Sequence, residues 1–503
     1  MTTEKPNILL IMTDQQRQDS LGCYGTDCIA TPNLDRLAAQ GTCFENCFVN
    51  NPICTPSRAS LMTGKELPGH QVLRLHDVLP EEEVLLPKRL QAAGYQTALF
   101  GKLHVSGRVR EAALRHPNDG FDIYEWCMEA SLSMDSPLNA YARWLQKENP
   151  AFYAELHQKK RARKHHPREY HLTHWAAERT IDFIRSANRE TPFFCMMSVF
   201  DPHDPYDTHP QEYLNRVDMD KLPRAKVAEQ ERSHSIQDLR REQEDGIKGD
   251  FHALHPEDLQ AMRQGYFATV ALIDDEVGRV LATLDEQGLV DNTMVIFVSD
   301  HGDNLGDHGL LVKGAHFYNP CVKVPLLMRW PGGRHAGVRA AALTQPHDLA
   351  ATVLAAAGIS EDTWAPDMPD AIDLDRVLAG EARRDTAVCA YRQSGLSCTG
   401  RYFDPAIDAT MITDGRYKLN LYHSSPGEHR GQLFDLANDP DEVQNLWQAD
   451  ENNRARLLEE LTQWFWRQSE RYARKSESAE PRRDQLIDNA FRATSASAAR
   501  ALP

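Results

Sequence analysis

The chain has 503 residues, of which 41% are hydrophobic and 26% charged, and its formal net charge is −17. Its length exceeds that of one ordinary hydrophobic core, so we expect a globular protein with one large domain and a smaller one. The negative charge argues against nucleic acid and anionic membranes as partners, because both would be repelled on average. If the substrate is an anion, cations must therefore be concentrated at one site.

The N-terminus and the cysteines bear on the cellular compartment. The opening segment MTTEKPNILLIMTD has an apolar run too short for a signal-peptide core, and no later run approaches membrane-spanning length. We therefore expect a cytoplasmic protein with no membrane partner. Most of the ten cysteines should then be free thiols. A zinc cluster is disfavoured, because no common zinc motif has the spacing of Cys23, Cys28, Cys43 and Cys47.

Apolar runs alternate with helical patterns along most of the chain. NILLIMTD predicts a buried strand that ends on an acid, and TPFFCMMSVF and TMVIFVSD predict further strands. LPKRLQAAGYQTALFG predicts a helix that stops near Gly94 and a strand into Gly101, and VPLLMRWPG predicts a strand stopped by Pro331. Residues 266–288 have helical periodicity. Together they predict an α/β fold, with a mostly parallel sheet sandwiched by helices.

Beyond about Ala382 the pattern predicts a smaller C-terminal subdomain with an antiparallel sheet. ATMITDGRYKLNLYH predicts a hairpin, QLFDLANDPDEVQNLW a turn leading into a helix, and NRARLLEELTQWFWRQSERYARK an amphipathic helix. We expect the large α/β domain at 1–382, the α+β subdomain at 383–475 and a polar tail at 476–503. The tail is either loose or an arm that orders against a second subunit, and we expect a homo-oligomer.

Polar residues follow several of the predicted strands. The carboxyl ends of parallel strands meet at one edge of an open sheet, where ligands bind. The sequence therefore predicts one site that combines carboxylates with cations. The residues that follow four different strands are Asp14, Lys102, His203 and Asp300.

The segment CTPSRASLMTG, which begins at Cys54, matches the C-x-P-S-R signature of type I sulfatases. The chain resembles this branch of the alkaline phosphatase superfamily over residues 5–470. The resemblance implies an alkaline-phosphatase-like fold and a sulfuric ester hydrolase of the arylsulfatase type. It also implies that a formylglycine-generating enzyme reads Pro56 and Arg58 and oxidises Cys54 to formylglycine, whose hydrate is the nucleophile. Arg58 would then hold this hydrate near a metal.

The resemblance implies one divalent metal ion. A diol becomes a strong nucleophile at neutral pH only when a cation or a base removes its proton. Many family members have two adjacent acids after the first strand and an Asp-Asn pair later, whereas this chain has Asp-Gln and Asp-His. Calcium is the family default, but imidazole suits transition metals better, so manganese is the alternative. The implied ligands are Asp14, Gln15, Cys54 as formylglycine, Asp300 and His301.

The segments GKLH, DPHDP and GDHGLLVKG supply cations that match the family pattern. The match implies that Lys102, His203 and Lys313 grip the sulfate oxygens. It implies that His104 contacts the formylglycine hydroxyl. His203 or Lys313 would also protonate the leaving oxygen. Preorganised cations aimed at developing charge are usually the largest catalytic contribution.

Other functions stay open at this point. Phosphonate monoester hydrolases share the Asp-Gln and Asp-His arrangement, so a phosphonate monoester or phosphodiester hydrolase is the alternative. The G-K-x-H segment favours sulfate esters, because those enzymes carry a Tyr and a Thr there. A catalytically silent, metal- or anion-binding relative is disfavoured, since nucleophile, ligands and cations are all present. The sequence does not specify the alcohol half of the substrate.

Three weaker signals complete the sequence. Asp303, Asp307 and His308 follow the last ligands and either shape the substrate mouth or support the site. The basic segment 159–168 either steers an anion or, as we favour, forms a solvated helix face. The segment GRYF at 400–403 is expected to edge the pocket.

Overall fold

The computed structural model describes residues 5–231, 233–427 and 430–473. The strands in these ranges are β1 (Asn7–Thr13), β2 (Thr42–Cys47), β3 (Gln96–Gly101), β4 (Ile123–Trp126), β5 (Phe193–Ser198), β6 (Thr293–Ser299), β7 (Leu326–Arg329), β8 (Val338–Thr344), β9 (Ala387–Leu396), β10 (Tyr402–Thr413), β11 (Tyr417–Tyr422) and β12 (Gly431–Asp435).

The helices are α1 (Pro32–Gln40), α2 (Cys54–Thr63), α3 (Leu67–His70), α4 (Leu86–Ala92), α5 (Arg108–Ala113), α6 (Ala140–Glu148), α7 (Pro150–Lys159), α8 (Leu172–Ser186), α9 (Gln237–Asp245), α10 (Pro256–Glu286), α11 (Asn319–Val322), α12 (Asp348–Ala356), α13 (Glu361–Trp364), α14 (Leu374–Leu378) and α15 (Glu451–Ala473).

The main sheet has eight strands in the order β4-β3-β5-β1-β6-β7-β2-β8. All its neighbouring strands pair in parallel except β7, which is antiparallel to both β6 and β2. The strands predicted from apolar runs are all present, and the mostly parallel sheet is confirmed. The segment VPLLMRWPG forms β7, the one strand that runs against the others. Apolar character marks a buried strand but carries no information on its direction.

Both faces of the main sheet are buried, which explains why its central strands are apolar without alternation. In β1, Leu10 belongs to a core shared with α2, α4 and α12, whereas Leu9 belongs to a second core shared with α1, α8 and α10. Successive side chains of a strand point to opposite faces, so each strand contributes to both cores. The sheet is therefore sandwiched by helices, as expected.

A second sheet is antiparallel, with the strand order β12-β11-β10-β9. The expected hairpin is β10 and β11, paired from Thr413 with Lys418 outward. One expectation is wrong: the segment QLFDLANDPDEVQNLW does not start with a turn, because its residues 432–435 belong to β12 and extend the sheet. The segment continues through turns, and the next helix begins at Glu451. The strand has only two apolar residues, Leu433 and Phe434, and they are adjacent, so its five residues show no period that would predict a strand.

Residues up to Arg454 form one compact unit that holds both sheets. From Ala455 the described residues continue helix α15 to Ala473. The expected domain limits at 382 and 475 stay predictions, and the tail at 476–503 lies outside the described residues. Every helix in the described ranges is too short or too polar to cross a bilayer.

Gly101 is the last residue of strand β3, just before Lys102, and the space around it shows how tightly the strand ends are packed. A Cβ at Gly101 would lie 1.9 Å from the carbonyl oxygen of Ser198, and the backbone has φ +113°. Gly94 has φ +90°, but a Cβ there would meet no other atom within 4 Å. We expect Gly94→Ala to lower the free energy of unfolding by about 1–2 kcal/mol. Gly101→Ala should cost several times more in urea unfolding; equal costs would contradict the close approach.

Candidate active site and metal centre

The strand ends of the main sheet bring the predicted site residues together. Asp14 follows β1, Lys102 follows β3 and Asp300 follows β6. His203 lies in the loop after β5, which pairs with both β1 and β3. These strands are neighbours and parallel, so their carboxyl ends share one edge. The site is built from short connections to the most buried part of the sheet.

Cys54 is the first residue of helix α2 and is 1% exposed. Its Sγ lies 2.8 Å from Nζ of Lys313, 3.1 Å from Nε2 of His301 and 3.6 Å from Oδ1 of Asp14. Pro56 is tolerated in this position because the first turn of a helix has no internal partner for its missing N–H. The signature segment therefore places its cysteine against both the carboxylates and the cations.

Four side chains form a buried group with metal-ligand chemistry. One ligand atom from each of the four side chains lies within 4.8 Å of the ligand atoms of the other three. Nδ1 of His301 is 2.8 Å from the carbonyl oxygen of Gly302, which makes Nδ1 the donor and leaves Nε2 free to ligate. Oxygen, imidazole and sulfur atoms at this spacing suit one divalent cation. The four residues are Asp14, Cys54, Asp300 and His301.

Gln15 stands beside this group. Its backbone N–H donates to Oδ1 of Asp300, and its side-chain Nε2 donates to Oδ2 of Asp303 at 2.6 Å. Its Oε1 is buried and has no hydrogen-bond partner within the described residues. A buried amide oxygen without a partner is costly unless a ligand satisfies it. Asp303 also accepts from Tyr206, so it orients Gln15 from behind and does not border the mouth.

Arg58 is fully buried and connects four strand ends. Its Nε donates to Asp300 at 2.6 Å and its Nη2 to Asp14 at 3.1 Å. Its Nη1 donates to the carbonyl oxygen of Lys102 and to Oγ of Ser198. Helical spacing puts residues 54 and 58 on one face of α2, so the cysteine and this guanidinium reach the same group.

Cations determine the ionisation of Asp14. Burial would raise its pKa, but the charges of Lys102, Lys313 and Arg58 outweigh burial and hold the pKa well below its usual value. Nζ of Lys102 lies 2.5 Å from Oδ2 of this carboxylate. Burial lowers the pKa of Lys313, but the interactions with Cys54 and Asp14 outweigh burial and raise the pKa above its usual value. The site therefore keeps a carboxylate and ammonium groups together.

Burial favours the neutral form of the histidines at the site. Burial, reinforced by Lys313, lowers the pKa of His203 and lowers that of His301 to about 4. Nδ1 of His203 lies 2.7 Å from the carbonyl oxygen of Asp204, and its Nε2 lies 2.8 Å from Nζ of Lys313. With Nδ1 as the donor to the carbonyl, Nε2 accepts from the Lys313 ammonium.

His104 has a different arrangement. Burial and the charge of Lys102 lower its pKa well below the usual value. The Thr55 hydroxyl donates to the carbonyl oxygen of Leu75 and accepts from Nε2 of His104 at 3.0 Å. This leaves Nδ1 as the basic nitrogen, and it has no partner within the described residues.

A cavity of about 530 Å³ opens above Cys54. Its floor includes Lys102, His104, His203 and Lys313, and its walls include the apolar side chains of Met128, Leu132, Phe200, Ile247 and Val312. The combination provides charge at the base and an apolar surface for an organic group above it.

The first residues of the basic segment 159–168 are exposed, as expected for a solvated helix face, and two of them also border the cavity. Helix α7 ends at Lys159, and Lys160 and Arg161 line the cavity. Asp307 pairs with Arg17 and Arg263, and His308 stacks on Tyr318, so neither borders the cavity. All ten cysteines, including the four considered for zinc, are free thiols.

Comparison with known proteins gives the family. The sulfatase family matches residues 6–359, and the C-terminal region of N-sulphoglucosamine sulphohydrolase matches residues 306–470. An arylsulfatase of Clostridium perfringens (strain 13 / Type A) is 30% identical over 460 residues, which cover 89% of this chain and 91% of that protein. The chain belongs to the sulfatase family. It is an enzyme that hydrolyses sulfate esters, as expected.

This sulfatase is also similar to the multifunctional alkaline phosphatase superfamily protein PehA of Trinickia caryophylli, with 31% identity over 383 residues that cover 70% of this chain and 73% of that protein. In structure it matches the phosphonate monoester hydrolase of Agrobacterium radiobacter with a TM-score of 0.78 and 25% identity, covering 92% of this chain and 96% of that one. The alkaline-phosphatase-like fold is therefore confirmed.

Glu111 is a site residue of this sulfatase that carries no motif. It is 4% exposed, and its carboxylate accepts the backbone N–H groups of residues 104, 105 and 106 and the indole N–H of Trp126. These bonds hold the backbone of His104, which has φ +58°. Left-handed backbone in a non-glycine residue costs energy and persists only when the surroundings fix it. Sequence reasoning had no signal for a carboxylate whose partners are backbone groups.

We expect Glu111→Gln to lower kcat and the thermal midpoint of this sulfatase. The amide would turn donor hydrogens toward backbone donors, which leaves buried groups unpaired at a cost of about 1–3 kcal/mol. Trp126→Phe, which removes one donor of four, should have a smaller effect on both. Steady-state kinetics and thermal unfolding measure the two variants. A Glu111→Gln enzyme with wild-type kcat would contradict the positioning of His104.

Proposed function

We propose that this sulfatase cleaves an aryl-type sulfate monoester to alcohol and sulfate, with formylglycine made from Cys54 as its nucleophile. The observation that carries the proposal is the position of Cys54. Its Sγ lies at the base of the cavity, 2.8 Å from the Lys313 ammonium and 3.1 Å from Nε2 of His301. In the mature enzyme the aldehyde hydrate stands where this thiol is, and one of its hydroxyls attacks sulfur. The similarity to an arylsulfatase supports this choice.

The donor set fits a divalent metal ion. Oε1 of Gln15, which lacks a partner in the described part of the chain, and the four-residue group within 4.8 Å provide the required atoms. Asp14, Gln15, Asp300 and His301 would hold the ion next to residue 54. When bound, the ion supplies Lewis-acid stabilisation of negative charge at that residue. Because one ligand is imidazole, Mn²⁺ is a closer chemical match than Ca²⁺.

The cations at the cavity base bind the sulfate group in this proposal. Lys102 and Lys313 line the cavity beside residue 54, and their ammonium groups oppose the negative field of a chain whose net charge is −17. Ammonium groups fixed in a buried site stabilise charge on sulfate oxygens without reorganisation. His203 also lines the cavity, and it orients the Lys313 ammonium by accepting its hydrogen bond. Arg58 stays engaged with Asp14 and Asp300 and orients residue 54 from below.

Proton transfer is divided between two groups. Lys313 carries the proton of the Lys313–His203 pair, so we assign the donation to the leaving oxygen to Lys313. Nδ1 of His104, which has no partner among the described residues, accepts the proton of the second hydroxyl at residue 54. The C–O bond to sulfate breaks in the same step, which releases sulfate and re-forms the aldehyde. Neutral histidine is the form that a general base requires.

The alternative function is phosphonate monoester or phosphodiester hydrolysis. It is favoured by the structural match to a phosphonate monoester hydrolase and by the similarity to PehA. The same nucleophile and cations serve a sulfur or a phosphorus centre. Lys102 and His104 favour sulfate within this pair of functions, since they match the sulfatase pattern at that segment.

One test of this proposal concerns the nucleophile and whether sulfur or phosphorus is the atom attacked. Enzyme co-expressed with a formylglycine-generating enzyme should show a higher kcat/KM for an aryl sulfate than for the matching aryl phosphonate monoester. Cys54→Ala should lower kcat/KM for the sulfate by on the order of a thousandfold or more, because the nucleophile is gone. Mass spectrometry of the peptide that contains residue 54 should show the aldehyde.

Two controls separate the alternatives. Cys389→Ala removes a buried cysteine outside the site and should leave the sulfate rate near that of the wild type. A higher kcat/KM for the phosphonate would establish the alternative function. An unmodified Cys54 in fully active enzyme would overturn the formylglycine proposal.

The second prediction concerns the metal. Chelation should lower the thermal midpoint, and a hundredfold excess of metal over its Kd should restore about 2.7 kcal/mol of stability. We expect Mn²⁺ to restore more than Ca²⁺, because of His301. His301→Asn replaces the imidazole by an amide oxygen and should shift the preference toward Ca²⁺, whereas His157→Asn at the exposed ion pair with Asp135 should not. No midpoint change with either ion would contradict the metal site.

A further inference from the structure

The catalytic cavity continues into a second cavity. The second cavity has a volume of about 440 Å³, against about 530 Å³ for the catalytic one. Arg108, Leu132 and Lys160 line both, so the two form one cleft. An ester bound at residue 54 therefore has room for a substituent that extends past these three side chains.

The cations around the cleft are of two kinds. Arg161 pairs with Glu129, and Lys248 pairs with Asp204, so the charges on this wall are compensated within the protein. Arg108 and Lys160 are different: within the described ranges, neither has a carboxylate within 4.0 Å. Asp135 lines the second cavity, but it is hydrogen-bonded to His157 at 3.0 Å.

The backbone fixes where both cations stand. Arg108 begins helix α5, which is held from inside by Glu111. Lys160 follows α7 with φ 48° and ψ −132°, a conformation suited to glycine. Such strain costs of order 1–3 kcal/mol and clusters at functional sites. A lysine at this position lowers local stability, but it places its side chain where the two cavities join.

The walls of the second cavity suit an organic group. Val109, Ala112 and Ala113 of helix α5 offer an apolar side. Ser131, Ser133 and Ser136 also line this cavity. The hydroxyl groups of Ser131 and Ser136 donate to Glu129 and to the carbonyl oxygen of Ala112, so their oxygens remain as acceptors. The cleft thus has charged residues at its base and apolar side chains along its wall. The positive charges of Arg108 and Lys160 lie away from the base.

We propose that Arg108 and Lys160 bind a second anionic group of the substrate, so that this sulfatase selects organic sulfate esters carrying a carboxylate or a second sulfate distal to the scissile one. The inference rests on the proposed function and adds the substrate class to it. A guanidinium and an ammonium that have no carboxylate partner among the described residues can give charge-assisted hydrogen bonds to either anion. In a chain of net charge −17, two uncompensated cations in a cleft also attract a dianion from solution.

The experiment compares matched esters. The substrates are biphenyl-4-yl sulfates that carry a carboxylate, a neutral carboxamide or a second sulfate at the 4′ position, together with the phenyl sulfates that carry the same groups at the para position. Ion chromatography measures sulfate release. The readout is the ratio of kcat/KM for the anionic ester to that for the carboxamide. We expect a ratio of about ten or more in at least one of the two series, with a decline at high ionic strength.

Variants locate the effect. Arg108→Ala and Lys160→Ala should each reduce the ratio, and the double variant should bring it close to one. The controls are Arg110→Ala and Lys159→Ala. Arg110 lies on the same helix as Arg108 but pairs with Glu81, and Lys159 is the neighbour of Lys160 but pairs with Glu155. Both should keep the wild-type ratio. The carboxylate and disulfate arms show which second anion is preferred.

Two outcomes overturn the inference. One is a wild-type ratio near one in both series. The other is an equal loss of kcat/KM on anionic and neutral esters in the Arg108→Ala and Lys160→Ala enzymes. That result would mean that these cations affect every ester and do not recognise a second anion. If no sulfate ester is cleaved and the aryl phosphonate is, the proposed function fails by itself. The same ratio is then measured on the corresponding phosphonate monoesters.

Discussion

The structure of the site depends on the buried ion pairs of Arg58. Asp14 and Asp300 are 0% and 1% exposed, and two carboxylates this close would repel each other in a medium of low dielectric. The guanidinium lies between them and uses its remaining donors on Lys102 and Ser198. Losing one partner of such a pair would leave an uncompensated buried charge. The arrangement therefore fixes β1, β3, β5, β6 and α2 relative to one another.

A second level of charge balance follows from that framework. Lys102 and Lys313 approach Asp14 on the side that faces the cavity, so the carboxylate is shared between a structural cation below and substrate-facing cations above. The side chains at the cavity base carry opposite charges at short range. A sulfate group and a metal ion then enter a site whose charges already match both, which reduces reorganisation on binding.

The parts of this site that follow strands could be predicted from the sequence, because parallel strands converge at one edge. The signature around Cys54 was equally informative. Glu111 was not, since it contacts backbone N–H groups that any residue possesses. The direction of β7 and the strand β12 also escaped prediction. Strand direction and short edge strands depend on pairing partners distant in sequence, which apolar patterning does not report. The charges of the segment after α7 gave no sign that two of its exposed residues border the cavity.

In the proposed function, the residues for catalysis and those for substrate choice come from different parts of the chain. The short helix α5 contributes to both. The cavity base is made by strand ends and α2, whose positions the whole sheet determines. The mouth is made by residues between Arg108 and Arg161, where α5 and the loop after α7 carry the cations. Helix α5 presents Glu111 inward, to the backbone of His104, and Arg108 to the cleft. A change in the length or angle of α5 would therefore move both the backbone of His104 and the side chain of Arg108, whereas changes in the loop after α7 would move Lys160 alone.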